Sequence, residues 1–371
     1  MADKSVNQFL LDSYIERGVR ITRIESGLQN EVLLILRDLA DELSAILSKA
    51  NWDSGSVDQK LARLEKLSAQ AQSAIEDHYS VIDKRVDENA RSLVLAESEW
   101  IGSVVNTYLG VELFDVSLNR NLLKSLTSDV MIQGAPSAAW WYKQEQTTMF
   151  NFMKEMRLGI LQGEDLNELI RRVRGRRENR FTDGVISAST REAEALVRTS
   201  AQTVLNDVRM EIFRQNKEVV QGVQWVTALD YKVCPQCRPR DKATWDLEGN
   251  PINEIAKGFF FRRPPIHYND RCALVPVLYS WEELAKKYGG NTRIGKIIDQ
   301  MSKGTRSSMD GQVPETMTFE EWLKMKDSLE PAEVEKLLTP KRYEQWKKGK
   351  LPLGSFLDDR GNYLTISELN L

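Results

Sequence analysis

The sequence predicts a mainly α protein with a small α+β module. Long N-terminal helices lead to a helical middle, a loop-rich β module containing cysteines and histidine, and a short helical C-terminal extension. Three observations predict this. Apolar residues recur every three or four positions through the first hundred residues, and no proline precedes Pro136. A helical pattern ending near residue 220 runs straight into an alternating stretch, GVQWVTALD. All three cysteines and one of the two histidines lie between 234 and 272.

The 371 residues are 41% hydrophobic and 28% charged, which suits two or three domains with real cores. No apolar run reaches the roughly 18 residues of a membrane span, so no membrane contact is expected. The start, MADKSVNQFLLDSY, lacks a signal-peptide layout, and a cytoplasmic site of synthesis is expected. Three cysteines are too few for a disulfide framework. With a net charge of −3, any nucleic-acid affinity must come from a local patch.

Residues 1–110 read as a long-helix region. Leu28, Val32, Ile35, Leu39, Leu43 and Ile46 form one helical face. His78 is expected at a helix surface. In 137–163, Trp141, Phe152, Met156 and Ile160 are expected to be core. A helix beginning near Glu164 would carry acids in its first turn and arginines in its last, matching the helix dipole. It leads into RRVRGRRENR, where Arg171, Arg172, Arg174, Arg176, Arg177 and Arg180 are candidates for phosphate contact. A solvated helix end and pairing with acidic protein groups are the other readings of this run. Ser189 and Glu192 have capping-box spacing, and Ala193, Val197, Ala201, Val204, Val208 and Ile212 form a buried stripe that Gly222 stops. In the strand that follows, Val223, Trp225, Thr227 and Leu229 alternate.

The cysteine region reads C-x2-C, then 29 residues, then H-x4-C: Cys234, Cys237, His267 and Cys272. A C-x2-C turn is half of a tetrahedral zinc site, and His267 and Cys272 could complete it. The span between is rich in glycine and proline, with little core of its own, and such modules need a staple. One structural zinc ion is therefore a candidate cofactor. Reduced, packed cysteines and a disulfide or redox pair are the alternatives. A catalytic zinc would need an open position and a general base, and no HExxH-type or H-x-E arrangement is present.

Further on, 281–302 reads as a helical connector, with a capping box at Ser280 and Glu283 and a double-glycine stop. Residues 303–316 read as a linker, and 317–371 as the C-terminal extension, opened by a capping box at Thr318 and Glu321.

Several of these elements in order resemble a known family. Arg198-Thr199-Ser200, Trp225, Asp230, Cys234, Cys237, Asp241, Pro265, His267, Asn269, Arg271 and Cys272 are similar to the pattern of the head-morphogenesis domain of Mu F-like minor head proteins of tailed phages. The domain would cover 111–280, with the Cys/His module at 223–280. The tail, from TFEEWL to LTISEL, resembles the C-terminal extension common in that family. Four positions depart from the pattern. Asp270 stands where the family has a cysteine, Tyr268 where it has proline, and Lys242 and Thr339 where it has glycine. Asp270 is thus an alternative metal ligand, since a carboxylate also binds zinc.

The resemblance implies a minor head protein, associated with the portal inside the head and assisting assembly and DNA packaging or ejection. The implied partners are the portal protein, the major capsid protein, or both, together with packaged DNA, at multiple copies per particle. The implied location is the virion interior, reached from the host cytoplasm during assembly. No enzymatic activity is expected, because the residues after Ser280 show no nucleophile–base constellation. The alternatives are a phage enzyme or toxin built on such a domain, and a zinc-stapled DNA-binding protein.

Overall fold

The computed structural model describes residues 6–109, 114–279, 305–309, 311–314, 317–358 and 362–369. The expected connector helix at 281–302 lies outside them. The elements are α1 (Val6–Leu47), α2 (Val57–Leu109), α3 (Arg120–Leu126), β1 (Met131–Ile132), β2 (Ala135–Pro136), α4 (Ser137–Leu161), α5 (Leu166–Arg174), α6 (Val185–Gln215) and β3 (Val220–Val226). Then follow β4 (Thr244–Asp246), β5 (Ala273–Leu278), β6 (Thr305–Ser308), β7 (Gly311–Pro314), α7 (Phe319–Leu329), α8 (Pro331–Leu338) and α9 (Pro340–Lys347). The mainly α class with a small β module is as the sequence predicts. The chain divides into two compact units, and three of the four divisions fall within the long helices. One unit holds Met1–Ile21, Leu95–Leu118 and Leu205–Leu371; the other holds Thr22–Val94 and Asn119–Val204.

The second of these units is helical apart from the short β1–β2 pair. On α1, Leu28, Val32, Leu39, Leu43 and Ile46 are buried as expected, but Ile35 is only half-buried and Leu36 takes the inner place. Ala40 and Leu47 are buried too, so the inner face leans toward them and leaves Ile35 at its edge. After α1 the chain turns under Trp52, whose indole donates to Leu47 O at 2.7 Å. His78 is not at the open surface. It is half-buried, with Nδ1 2.7 Å from Ala74 O and 3.8 Å from the Glu42 carboxylate. Trp141, Phe152, Met156 and Ile160 of α4 are all buried, each contributing about 1.5–3 kcal/mol. A buried chain of hydroxyls, Tyr79–Thr148–Ser189, ties α2, α4 and α6 through contacts of 2.8 Å each. This corrects the capping expectation for Ser189. Helix α6 starts earlier, at Val185, and a residue inside its second turn serves tertiary contact instead. Helix α5 begins as expected: Asp165 accepts the Glu168 amide at 2.9 Å, and the arginines fill the last turn.

In the other unit, Glu97 of α2 is fully buried and serves two arginines. Its Oε2 accepts from Arg17 Nε of α1 at 2.9 Å, and its Oε1 accepts from Arg209 Nε of α6 at 2.7 Å. Arg209 Nη2 lies 2.6 Å from the same Oε1, and Arg209 is itself buried. Tyr14 lies against the Arg209 guanidinium, 5.0 Å from its ring centroid, and Trp100 stacks edge-on to Tyr14 at 4.7 Å. The stripe from Val204 to Ile212 is buried as expected. The helix ends before Gly222, however, at Asn216, whose side chain bonds Ile212 O and both backbone groups of Asp115.

Strand β3 runs between β4 and β5, antiparallel to both. Being central, it buries more than one alternating face: Val220, Gly222 and Val226 are buried beside Val223 and Trp225. Gly222 sits inside this strand, where a Cβ would lie 2.1 Å from Trp245 O, so only glycine lets β4 approach. Within the stretch expected as a linker, β6 and β7 form an antiparallel hairpin. Helix α7 opens with the predicted Thr318–Glu321 capping box.

Two outcomes follow from this unit. Glu97→Ala strands the buried Arg209 charge and should lower stability by about 3–5 kcal/mol in urea unfolding of the full chain. Thr339, the single residue between α8 and α9, has φ +70° and ψ 150°, a region open essentially to glycine. Thr339→Gly should therefore stabilise the chain by about 1 kcal/mol, read as a rise in thermal midpoint.

Candidate metal centre

Strand pairing assembles the cysteine cluster. In the β3–β5 register, Val226 faces Ala273, so the exit of β3 lies beside the entry of β5. The chain leaving β3 reaches Cys234 and Cys237, and Cys272 immediately precedes β5. The two limbs are tied by Asp230 and Arg271, which pair bidentately at 2.7 Å in both bonds. Burial alone would raise the Asp230 carboxyl, but the Arg271 guanidinium outweighs it and holds it below the usual carboxylate range. From α6, the fully buried Asn206 donates to Cys272 O at 3.3 Å and accepts from Leu274 N at 3.1 Å, fixing where β5 begins.

The C-x2-C turn closes through Cys237 N, which donates to Cys234 O at 3.1 Å and lies 3.3 Å from Cys234 Sγ. His267 Nδ1 bonds Tyr268 O at 2.7 Å, which leaves Nε2 facing Cys237 Sγ at 3.5 Å. Two groups of donor atoms, each mutually within 4.8 Å, share Cys237: Cys234–Cys237–His267 and Cys237–Asp270–Cys272. All five predicted ligand candidates are thus brought together.

Asp270 has a second task. Its Oδ1 accepts the Cys272 amide and its Oδ2 the Ile266 amide, each at 2.9 Å. It shapes the loop that carries His267 and Cys272, and its Oδ1 stands 3.8 Å from Cys237 Sγ.

These residues suit a tetrahedral metal. Zn–S of about 2.3 Å and Zn–N of about 2.0 Å imply ligand–ligand edges of about 3.5–3.8 Å, which the Cys237–His267 separation matches. The surroundings suit an anionic cluster. Arg238 and Arg240 are buried next to it, and Arg238 Nη1 and Arg240 Nε have no hydrogen-bond partner among the described residues. Without metal, Cys234 is lowered to about 5 by its bond from Cys237, with His267 adding to it. His267 is raised to about 9, chiefly by Cys234. Burial pushes Cys272 up to about 12, and Cys237, crowded by Cys234 and Cys272, is pushed well above its ordinary value. The free space among these side chains is about 10 Å³, room for one ion or water but for no organic substrate.

The C-terminal helices close over this module. Buried Asp241 accepts Thr227 N and Oγ1 with one oxygen, at 2.9 Å each, and the Phe319 amide at the start of α7 with the other, at 3.0 Å. Trp322 lies 5.5 Å from the Tyr231 ring, and the buried Lys326 ammonium 5.7 Å from it. Tyr231 donates to Glu330 at 2.9 Å. Sequence reading missed Asn206, Arg238 and Arg240. A polar residue inside an apolar helical stripe was the available signal for Asn206. Lys242, at φ +67°, occupies a left-handed turn position, which explains the glycine expected there from the resemblance.

The arginine run lies in the other unit. Arg171 and Arg176 pair with Glu168, Arg174 with Asp41, and Arg172 with both Glu155 and Glu164. Arg172 is only 17% exposed and is spent on this network. Arg177 and Arg180 are exposed.

Residues 151–275 match the family model described as Phage Mu protein F like protein. The match runs from α4 through the arginine run, α6 and the cysteine module into β5. Over this segment the chain is similar to Mu F-like phage proteins, in agreement with the motif resemblance. Comparison with curated proteins and with solved structures gives no match. No helix among the described residues is long and apolar enough to cross a membrane.

Asp241→Ala should undock α7 from the module, since it removes a charge-assisted bond worth about 1.5–3 kcal/mol. Hydrogen exchange at the Phe319 amide should quicken about tenfold or more, while amides of α6 keep their protection.

Proposed function

We propose that this chain is a portal-associated minor head protein, present in multiple copies inside the head, which assists assembly and DNA packaging or ejection. The single observation that carries this is the match over 151–275 to the Mu F-like model, which includes all five candidate ligands of the cysteine module. The build of the module favours a structural role. The cluster leaves only about 10 Å³ of free space, too little for an organic substrate, and the chain's own C-terminal helices pack on the same module. On this reading the portal protein, the major capsid protein, or both are the partners, and packaged DNA is a further one. Arg177 and Arg180 are the arginines of the run best placed for phosphate.

In the same reading Cys234, Cys237, His267 and Cys272 hold one structural zinc ion, with Asp270 shaping the loop. Bound zinc would supply folding energy to a module with little core. Protein purified without chelator should then carry about one zinc per chain, and Cys237→Ser should lose it. A stoichiometry near zero overturns the zinc assignment and leaves the head role standing. The head role is tested by quantitative mass spectrometry of purified virions. A copy number on the order of a dozen, commensurate with a closed ring, is expected. Absence from both virions and procapsids overturns it.

A further inference from the structure

Helices α1 and α4 each turn a second face to solvent, and the two faces carry opposite charge. On α4, Lys143, Phe150, Lys154, Arg157 and Leu161 are exposed, whereas its acids, Glu145 and Glu155, are half-buried. Phe150 is 67% and Leu161 62% exposed. At 3.6 residues per turn, Lys143, Phe150, Lys154 and Leu161 point within about 40° of one another. Lys143 lies over its neighbour Trp140, Lys154 reaches Glu155 at 3.3 Å, and Arg157 reaches Glu65 at 2.8 Å. The two ion pairs lie at the surface, where such pairs are worth little.

On α1, beyond Thr22, the exposed residues include Ile24, Glu31, Leu34, Asp38 and Glu42, with Leu34 exposed by 56%. Ile24, Glu31 and Glu42 point within about 20° of one another, Asp38 within about 40°, while Arg23 and Arg37 point about 100° or more away. Ile35, half-buried at the edge of the inner face, borders this acidic stripe.

The spacings of the two faces coincide in reverse. From Leu161 back to Lys154 and then Lys143 the steps are seven and eleven residues, and from Ile24 on to Glu31 and then Glu42 they are again seven and eleven. Antiparallel contact between the faces therefore sets Leu161 on Ile24, Lys154 on Glu31, Phe150 on Ile35 beside Leu34, and Lys143 on Glu42. The contact runs for about 27 Å at 1.5 Å per residue. Both charged pairs are of opposite sign, and both apolar pairs cover exposed side chains. Two α4 faces do not fit each other, because an antiparallel pair centred on Phe150 puts Lys143 opposite Arg157. Phosphates would match the cations but leave Phe150 and Leu161 uncovered.

We propose that this chain associates head to tail with its own copies, the basic face of α4 in one chain lying antiparallel on the acidic face of α1 in the next. Such a contact uses two different surfaces, so each added chain leaves one of each free, and the assembly closes only as a ring. It rests on the two helix faces and does not need the head role, so the purified chain tests it alone.

Sedimentation of the purified full chain at rising concentration should show species larger than two chains. Lys154→Glu and Glu31→Lys should each weaken association about tenfold or more, and the chain carrying both should recover it, because the pair is restored with its signs exchanged. Phe150→Ala should weaken association as much, with the urea midpoint unchanged because the ring is exposed. The photo-crosslinker p-benzoyl-phenylalanine at position 150 should link, on irradiation, to residues 31–38 of a second chain. A chain that stays monomeric, an assembly that stops at two chains, or a double variant no better than the single ones overturns the proposal. So does a crosslink into α4 of the second chain or to nucleic acid retained in the preparation.

Discussion

A buried carboxylate shared by two guanidiniums is the contact on which the unit that carries the cysteines is built. Glu97 cannot be left without both its partners, because an uncompensated charge in that position costs several kcal/mol. It therefore fixes α1, α2 and α6 against one another where Arg17, Glu97 and Arg209 meet. Helix α6 is then held in one rotation and one register. Asn206, a turn away from Arg209 on the same helix, grips the backbone on either side of Ala273. The start of β5 follows from that grip, and β5 in turn brings Cys272 beside the turn that follows β3.

The module continues this logic of paired polar groups. Asp230 with Arg271, Asp270 with two amides, and Asp241 with Thr227 and Phe319 each join segments far apart in the chain. Such bonds are strong because one partner is charged and the surroundings are dry. They compensate for a segment whose loops contain little apolar area. The buried arginines at 238 and 240 lie beside the cysteine sulfurs, whose negative character offsets part of the cost of burying their charge. The C-terminal helices extend the apolar cover that the module lacks, with Phe319 and Trp322 fully buried.

The helical unit rests on different physics. Its stripes bury large side chains, and its few internal polar groups satisfy each other, as in the Tyr79–Thr148–Ser189 chain. In the arginine run, Arg172 and Arg174 meet carboxylates of other elements, and Arg171 and Arg176 meet Glu168. A basic run in sequence is thus a weak guide to a basic surface, because the acids that neutralise it come from elsewhere in the chain.

Much was legible in the sequence because it depends on local periodicity. The helical stripes, the start of α5 near Glu164, the Thr318–Glu321 capping box and the strand through Trp225 are all set by residues within one or two turns of each other. The metal-ligand candidates were legible because cysteine and histidine are rare in this chain and clustered. Even the departures at Lys242 and Thr339 were informative, since both positions take positive φ. What the sequence could not decide is set by long-range partners. Ser189 looked like a cap until Thr148 claimed it, His78 looked like a surface residue until Glu42 stood beside it, and Ile35 yielded its place to Leu36. Asp270 looked like a substituted ligand, and only the fold showed that two backbone amides also bind it. Local pattern determines where helices and strands form; the burial of charge, which needs partners from distant segments, determines how they meet.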